Sequence, residues 1–166
     1  MKAINGQIEK FLTSARSVSI GSIELNISSP SELDQYQVGY NKNGEGLSLV
    51  TGKKGDWKEE WIVIGWNELG DPIFVDLKSH ELQVFSAIHG EGSWVPDRIA
   101  DSLNNFGQIL SKLEELSVNR ENPVRLDKTP ISIKEAHDFL DFVRQNNYNS
   151  DIGFWDAIIQ VCLCCS

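Results

Sequence analysis

The sequence predicts an α+β fold: one mostly antiparallel sheet of about four to six strands with helices packed against it. Three observations predict it. Short apolar runs at Trp61 to Gly65, Pro72 to Leu77 and Leu82 to Ile88 follow one another across brief polar turns, the spacing of an antiparallel meander. After them Ile99, Leu103, Phe106, Leu110, Leu113 and Leu116 recur every three or four residues, which is helical periodicity. Finally, Ser132 and Glu135 form a capping box that opens another helix carrying Ala136, Phe139, Leu140 and Val143 on one face.

Taken in order, Ile4, Ile8, Phe11 and Leu12 predict a short amphipathic helix over 4–12. Val18, Ile20, Ile23, Leu25 and Ile27 alternate with polar residues as a strand would, with a break at Gly21. Ser29, Pro30 and Glu32 look like a helix start, with a serine cap, proline at the first position and an acid three residues after the cap. That short helix should end near Gly39. Gly46 to Thr51 is expected to be a strand, and Gly52 to Asp56 a turn into the meander.

Trp61 to Gly65 is apolar without alternation, so a central strand covered on both faces is expected. The loop from Asn67 to Asp71 leads to Pro72, a residue tolerated at the start of a strand. From there Ile73, Val75 and Leu77 should point one way, and Phe74 and Asp76 the other. Lys78 to Glu81 makes the next turn. Pro96, with Ser93 or Trp94 near the cap, is expected to open the long helix. Residues 117–131 read as a connecting loop, 146–150 as a break, and Phe154 to Val161 as an apolar segment docked on the core.

With 166 residues and 40% hydrophobic content, the chain can bury one good core, and a single domain over 1–166 is expected. The formal charge of −9 excludes the basic footprint that phosphate binding needs and disfavours an anionic membrane surface. It suits a basic protein partner. No positively charged region followed by a long apolar run opens the chain, and no segment reaches membrane-spanning length, so a cytoplasmic protein is expected. Cys162, Cys164 and Cys165 are odd in number and too close together for a disulfide framework, which fits a reducing compartment.

Catalytic chemistry has little to start from. His89, Glu91 and Ser93 share a glycine-rich loop, where neighbours in sequence rarely reach the geometry of a base aimed at a nucleophile, and a turn is expected there. His80, His89 and His137 are far apart in sequence and lack ligand spacing, so no metal is expected. The terminal cysteines read as small buried hydrophobes. Gly52 to Gly55 is too short for a phosphate loop. No cofactor is expected.

What stands out is an acidic and aromatic cluster around the meander. Asp56, Trp57, Glu59, Glu60, Trp66, Glu68, Asp71 and Glu91 are the candidate partner-binding residues. Carboxylates would steer a basic partner, and tryptophan is over-represented among interface anchors. Trp61 and Trp94 are expected in the core, leaving Trp57 and Trp66 for exposure.

One pattern carries a resemblance. Trp61, Ile64 and Gly65, then Asn67, Gly70, Asp71 and Pro72, then Val75 and Asp76 are followed by Val84, Phe85, His89, Gly90 and Trp94, and by the segment Ile99 to Phe106. In order and spacing this resembles the SUKH superfamily of bacterial toxin-immunity proteins and fungal cell-wall assembly regulators, over roughly residues 45–116, with 132–166 as a helical extension. Members usually carry an early Leu-Pro and an Asn-Gly; here Asn43 and Gly44 alone correspond. The resemblance implies a non-enzymatic binding protein, either an immunity protein that occludes a toxin such as a nuclease or a regulatory or scaffolding module of envelope synthesis. It leaves monomer and homodimer both open.

Overall fold

Serial antiparallel pairing organises the chain. In the computed structural model, which describes residues 5–150 and 152–164, the elements are α1 (Gly6–Ser14), β1 (Val18–Ile20), β2 (Ile23–Ile27), α2 (Leu33–Tyr36), β3 (Trp61–Asn67), β4 (Pro72–Asp76), β5 (Val84–Ser86), β6 (Asp97–Ala100), α3 (Leu103–Val118), α4 (Ile133–Asn146) and α5 (Gly153–Cys164). The strands form a six-stranded sheet in chain order β1 to β6, every pair antiparallel. This is the expected α+β architecture, with 35% helix and 19% strand.

Period-two side chains give the sheet two apolar faces. Ile64, Ile73, Val75 and Val84 face the helices, where Phe106, Ile109, Leu113, Phe139, Val143 and Trp155 complete a large core. Trp61, Val63 and Phe74 face the other way and pack with Trp57 and Ala87, closed by partly buried Tyr36, Tyr40, Val50, Phe85 and Trp94. The split of Ile73 and Val75 from Phe74 follows the predicted alternation. Leu77 lies past the end of β4 and is exposed.

Hydrogen bonds from outside the sheet reach both of its edges. At β1, Ser117 Oγ donates to the Ser19 carbonyl at 2.7 Å, and the Gly21 N–H donates to the Pro123 carbonyl at 2.7 Å. At β6, the buried Trp155 Nε1 donates to the Ile99 carbonyl at 2.8 Å. Exposed edges invite pairing with other chains, and these bonds occupy one edge carbonyl of each outer strand. Docking of α5 is as expected, with Trp155, Ile158, Ile159 and Cys162 buried, but Cys164, read as a small buried hydrophobe, is exposed because it falls on the outer side of the last helical turn. Cys165 lies outside the described residues, as does Ile4 of the first predicted helix.

A third edge arises inside the sheet. Pairing of β2 with β3 stops at Ile27 and Gly65, extended by the Ser28 N–H donating to the Ile64 carbonyl at 2.9 Å. Beyond it Val63 has no strand partner on that side, and the buried amide of Gln37 takes the place of one. Val63 N–H donates to Gln37 Oε1 at 3.0 Å, and Gln37 Nε2 donates to the Val63 and Leu33 carbonyls, each at 2.8 Å. Beside this point β3 carries an irregularity between Val63 and Gly65. A Cβ at Gly65 would stand 2.5 Å from the Asn26 carbonyl oxygen, so glycine is required for close backbone approach.

Three expectations are corrected. The long helix starts at Leu103, not Pro96, capped by Ser102 Oγ accepting from the Asn105 N–H at 3.0 Å; Asp97–Ala100 is instead an edge strand. A proline without an N–H suits a helix start and an edge strand equally, and the burial of Ile99 and Ala100 beside β5 selects the strand. Gly46 to Thr51 forms no strand, because Asn43 Oδ1 accepts from the N–H groups of Glu45 and Leu47 and curls the backbone into a turn. Ser29 does not cap α2. Its hydroxyl donates to Glu32 at 2.6 Å, the turn continues to Glu32, and the helix spans Leu33–Tyr36.

Candidate functional site

The loops that close the aromatic face build the candidate site. Residues 28–60 cross that face between β2 and β3, while 87–96 leave β5 and return to β6. Both are fastened to the β3–β4 turn and to each other. Tyr40 Oη donates to the Gly70 carbonyl at 3.3 Å, and the Trp94 N–H donates to the Gly55 carbonyl at 2.7 Å. Trp57 is the hub beneath them, with ring centroids 5.1 Å from Tyr40, 5.1 Å from Trp94, 5.3 Å from Trp61 and 4.8 Å from Phe74.

A polar clasp completes the arrangement. Asn67 Oδ1 accepts from the N–H groups of Leu69 and Asp71, at 3.1 and 2.8 Å, which folds the β3–β4 turn back on itself. Gly70, at φ 84°, supplies the left-handed conformation this turn needs. Asp71 is thereby held inward. Its Oδ1 accepts from the His89 N–H at 2.9 Å and from His89 Nδ1 at 2.7 Å, while Oδ2 accepts from Asn67 Nδ2 at 3.2 Å. Burial alone would raise the Asp71 carboxyl, but the hydrogen bonds from His89 and Asn67 outweigh it and leave it below the ordinary aspartate value. Tyr40, beside it, is pushed up by burial and then by the Asp71 charge.

Against this frame the predicted residues divide. Glu68 and Glu91 are exposed on the clasped loops, and Asp71 is the clasp itself. Glu59 and Glu60 precede β3, at the opposite end of the strand from Glu68; eight residues at ~3.3 Å each set the two ends roughly 26 Å apart. The eight candidates therefore do not form one cluster. Glu59 is exposed, whereas Glu60 pairs with Lys78 Nζ at 3.0 Å and is lowered by its own backbone N–H and then by Lys78. Asp56 accepts from Thr51 Oγ1 within the turn before β3.

The expected exposure of the tryptophans is corrected. Trp57 is 2% exposed and donates Nε1 to the Trp61 carbonyl at 3.1 Å, so it packs the second core. Trp66 is half-buried, stacked on Tyr36 with centroids 3.8 Å apart at 15°. Trp61 is buried as expected, while Trp94 is only partly so.

His89 meets neither Glu91 nor Ser93 in the hydrogen bonds of the described residues; its partner is Asp71, 18 positions away in the chain. A signal existed. The register pairs Ile73 with Ser86, so two further positions along each chain set Asp71 opposite Ile88, next to His89. The pair has the geometry of a base held by a carboxylate, but the Ser93 side chain lies against Gly55 and no hydrogen bond of the described residues joins it to the histidine. Among the described residues no group of three His, Cys, Asp or Glu is placed to hold a metal, and no helix is long and apolar enough to cross a membrane.

A cleft of about 360 Å³ adjoins the clasp, between Asn67, Asp71, Ile88, Asp97 and Phe154. A second, wider groove of about 870 Å³ runs between α1, α3 and α4, past Lys10, Phe11, Gly107 and Phe142.

No family model, curated protein or solved structure matches the chain.

Proposed function

We propose that this chain is a non-enzymatic protein-binding module of the SUKH type, acting in the cytosol as an immunity protein that occludes a basic toxin such as a nuclease. The observation that carries this reading is the clasped end of the sheet. Glu68 and Glu91 stand exposed on loops already fixed by Asp71, His89, Tyr40 and Gly70. A surface ordered before binding loses little conformational entropy on association. Carboxylates on such a surface attract a basic partner and raise its association rate. A nuclease is basic where it holds phosphates, so an acidic protein seated there excludes the substrate.

The test is co-expression. The C-terminal domain encoded by the large reading frame beside this gene is expressed in a susceptible cell, with and without this protein. Killing by the domain and restored growth with the protein is the expected result. A harmless domain, or killing despite the protein, overturns the assignment and favours a regulatory module of envelope synthesis. Charge reversal then locates the contact. It is confined to Glu59, Glu68 and Glu91, because Asp71→Lys would break the clasp and Glu60 already pairs with Lys78.

A further inference from the structure

Resting on the reading above as a binding protein, we infer that the partner is held at one surface, formed by Leu69, Ile88 and Val95 with the adjoining cleft, and that its contacting segment is basic and amphipathic. These side chains are 68%, 58% and 63% exposed, a high price in water for leucine, isoleucine and valine on loops that are otherwise well anchored. The strand order gathers them at one end of the sheet, in the β3–β4 turn and in the loop between β5 and β6. The sheet register pairs Ser86 with Asp97, so Ile88 and Val95 stand across the neck of their loop, two positions past that pair. Gly70, beside Leu69, lies against the His89 ring, with His89 Cε1 4.0 Å from where its Cβ would stand. The clasp from Asp71 to His89 fixes the two loops relative to each other.

Charge selects the occupant. Residues 67–71 and 86–97 contain Glu68, Asp71, Glu91 and Asp97 and no lysine or arginine. A second copy docked through a two-fold would set one acidic rim against another, which opposes self-association here. An anionic membrane is repelled for the same reason. A segment bearing apolar side chains flanked by lysine or arginine satisfies both features. Its aliphatic residues cover Leu69, Ile88 and Val95. One basic side chain enters the cleft, laying its stem along Ile88 and Phe154 with its head toward Asp71 and Asp97. The anchor is therefore aliphatic, and Trp57 and Trp61 serve beneath the loops as packing.

A phage-displayed library of random 16-residue peptides supplies a probe that does not depend on the toxin. The expected selection is for peptides combining Lys or Arg with Leu, Ile or Phe. Capture should fall at least tenfold on the variant L69D/I88D/V95D, whose fold is checked by circular dichroism and melting, and stay unchanged on Glu121→Lys, an exposed position in the loop after α3. Selection of acidic peptides, no selection, or equal capture by the triple variant would overturn the inference, as would a dimer of the wild-type chain that the triple variant loses. Growth rescue separates the two readings. Rescue by wild type and triple variant alike sinks the surface and keeps the function; failed rescue with the expected peptide selection does the reverse.

Discussion

Replacing Gln37 with leucine keeps most of the side-chain volume and deletes the amide that stands in for a missing strand. Two buried backbone groups, the Val63 N–H and C=O, then lose their partners, and Leu33 loses a donor to its carbonyl. An orphaned buried polar group costs about 1–3 kcal/mol, so the pair predicts a loss of about 3 kcal/mol once some water reaches the site. For a chain of this size that lowers Tm by roughly 6–12 °C. Urea denaturation of Gln37→Leu beside wild type measures it. Gln37→Glu sharpens the reasoning, since it preserves shape. One carboxylate oxygen still accepts from Val63, but the other faces two carbonyl oxygens that Gln37 Nε2 now contacts at 2.8 Å. Ionisation is disfavoured there, so the introduced carboxyl has a folded pKa raised above its unfolded value of about 4.3. The sign follows from linkage. The variant approaches wild-type stability below about pH 4, where the protonated acid can donate, and loses stability as pH rises through the raised value. A loss under about 1 kcal/mol for Gln37→Leu, or a Gln37→Glu deficit that does not shrink between pH 7 and pH 4, would refute the strand-substitute role.

Other perturbations test the remaining parts of the frame. Gly65→Ala places a methyl 2.5 Å from the Asn26 carbonyl and should cost about 1–3 kcal/mol through forced separation of β2 and β3, read by denaturant titration. Trp57→Ala should cost about 3–5 kcal/mol as a core deletion; full stability with lost binding would return Trp57 to the interface. Asp71→Asn keeps an acceptor for His89 but removes its charge, so exchange of the His89 amide should quicken about fivefold, for roughly 1 kcal/mol. Because the Asp71 value is depressed in the fold, its contribution is complete above about pH 4 and is lost as pH falls through the folded value. Loosening of the 87–96 loop measured below pH 4 should therefore be smaller in Asp71→Asn than in wild type.

Local pattern made the fold readable wherever one physical requirement acted alone. The alternation of Ile73, Phe74 and Val75 answers only to a sheet covered on both faces, and the capping box of Ser132 and Glu135 forms as expected, with Glu135 lowered first by the Ser132 N–H. Reading failed where one residue satisfies two local rules. Pro96 fits a helix start and a strand start, and Ile99 fits the apolar stripe of α3 as well as the buried face of β6. Tertiary pairing with β5 decides between them, and spacing within a single segment carries no trace of that decision.

The site was less legible than the fold for a related reason. Proximity in sequence grouped Glu59 and Glu60 with Glu68, yet an extended strand separates its ends further than any other element of equal length. Distance in sequence hid the contact between Asp71 and His89, which an antiparallel register brings together. Trp57 shows the same effect in its burial. It precedes β3 with carboxylates on three sides in sequence, at Asp56, Glu59 and Glu60, and composition alone makes such a segment look like surface. The fold instead turns this tryptophan under the loops, because Trp61, Phe74 and Trp94 offer a large aromatic face on the side of the sheet that α3, α4 and α5 leave open. Covering that face takes Trp57 and Trp61 out of the set available for recognition. What the same loops leave outside, at Leu69, Ile88 and Val95, is aliphatic and exposed, and it is on that exposure that the proposed binding surface rests.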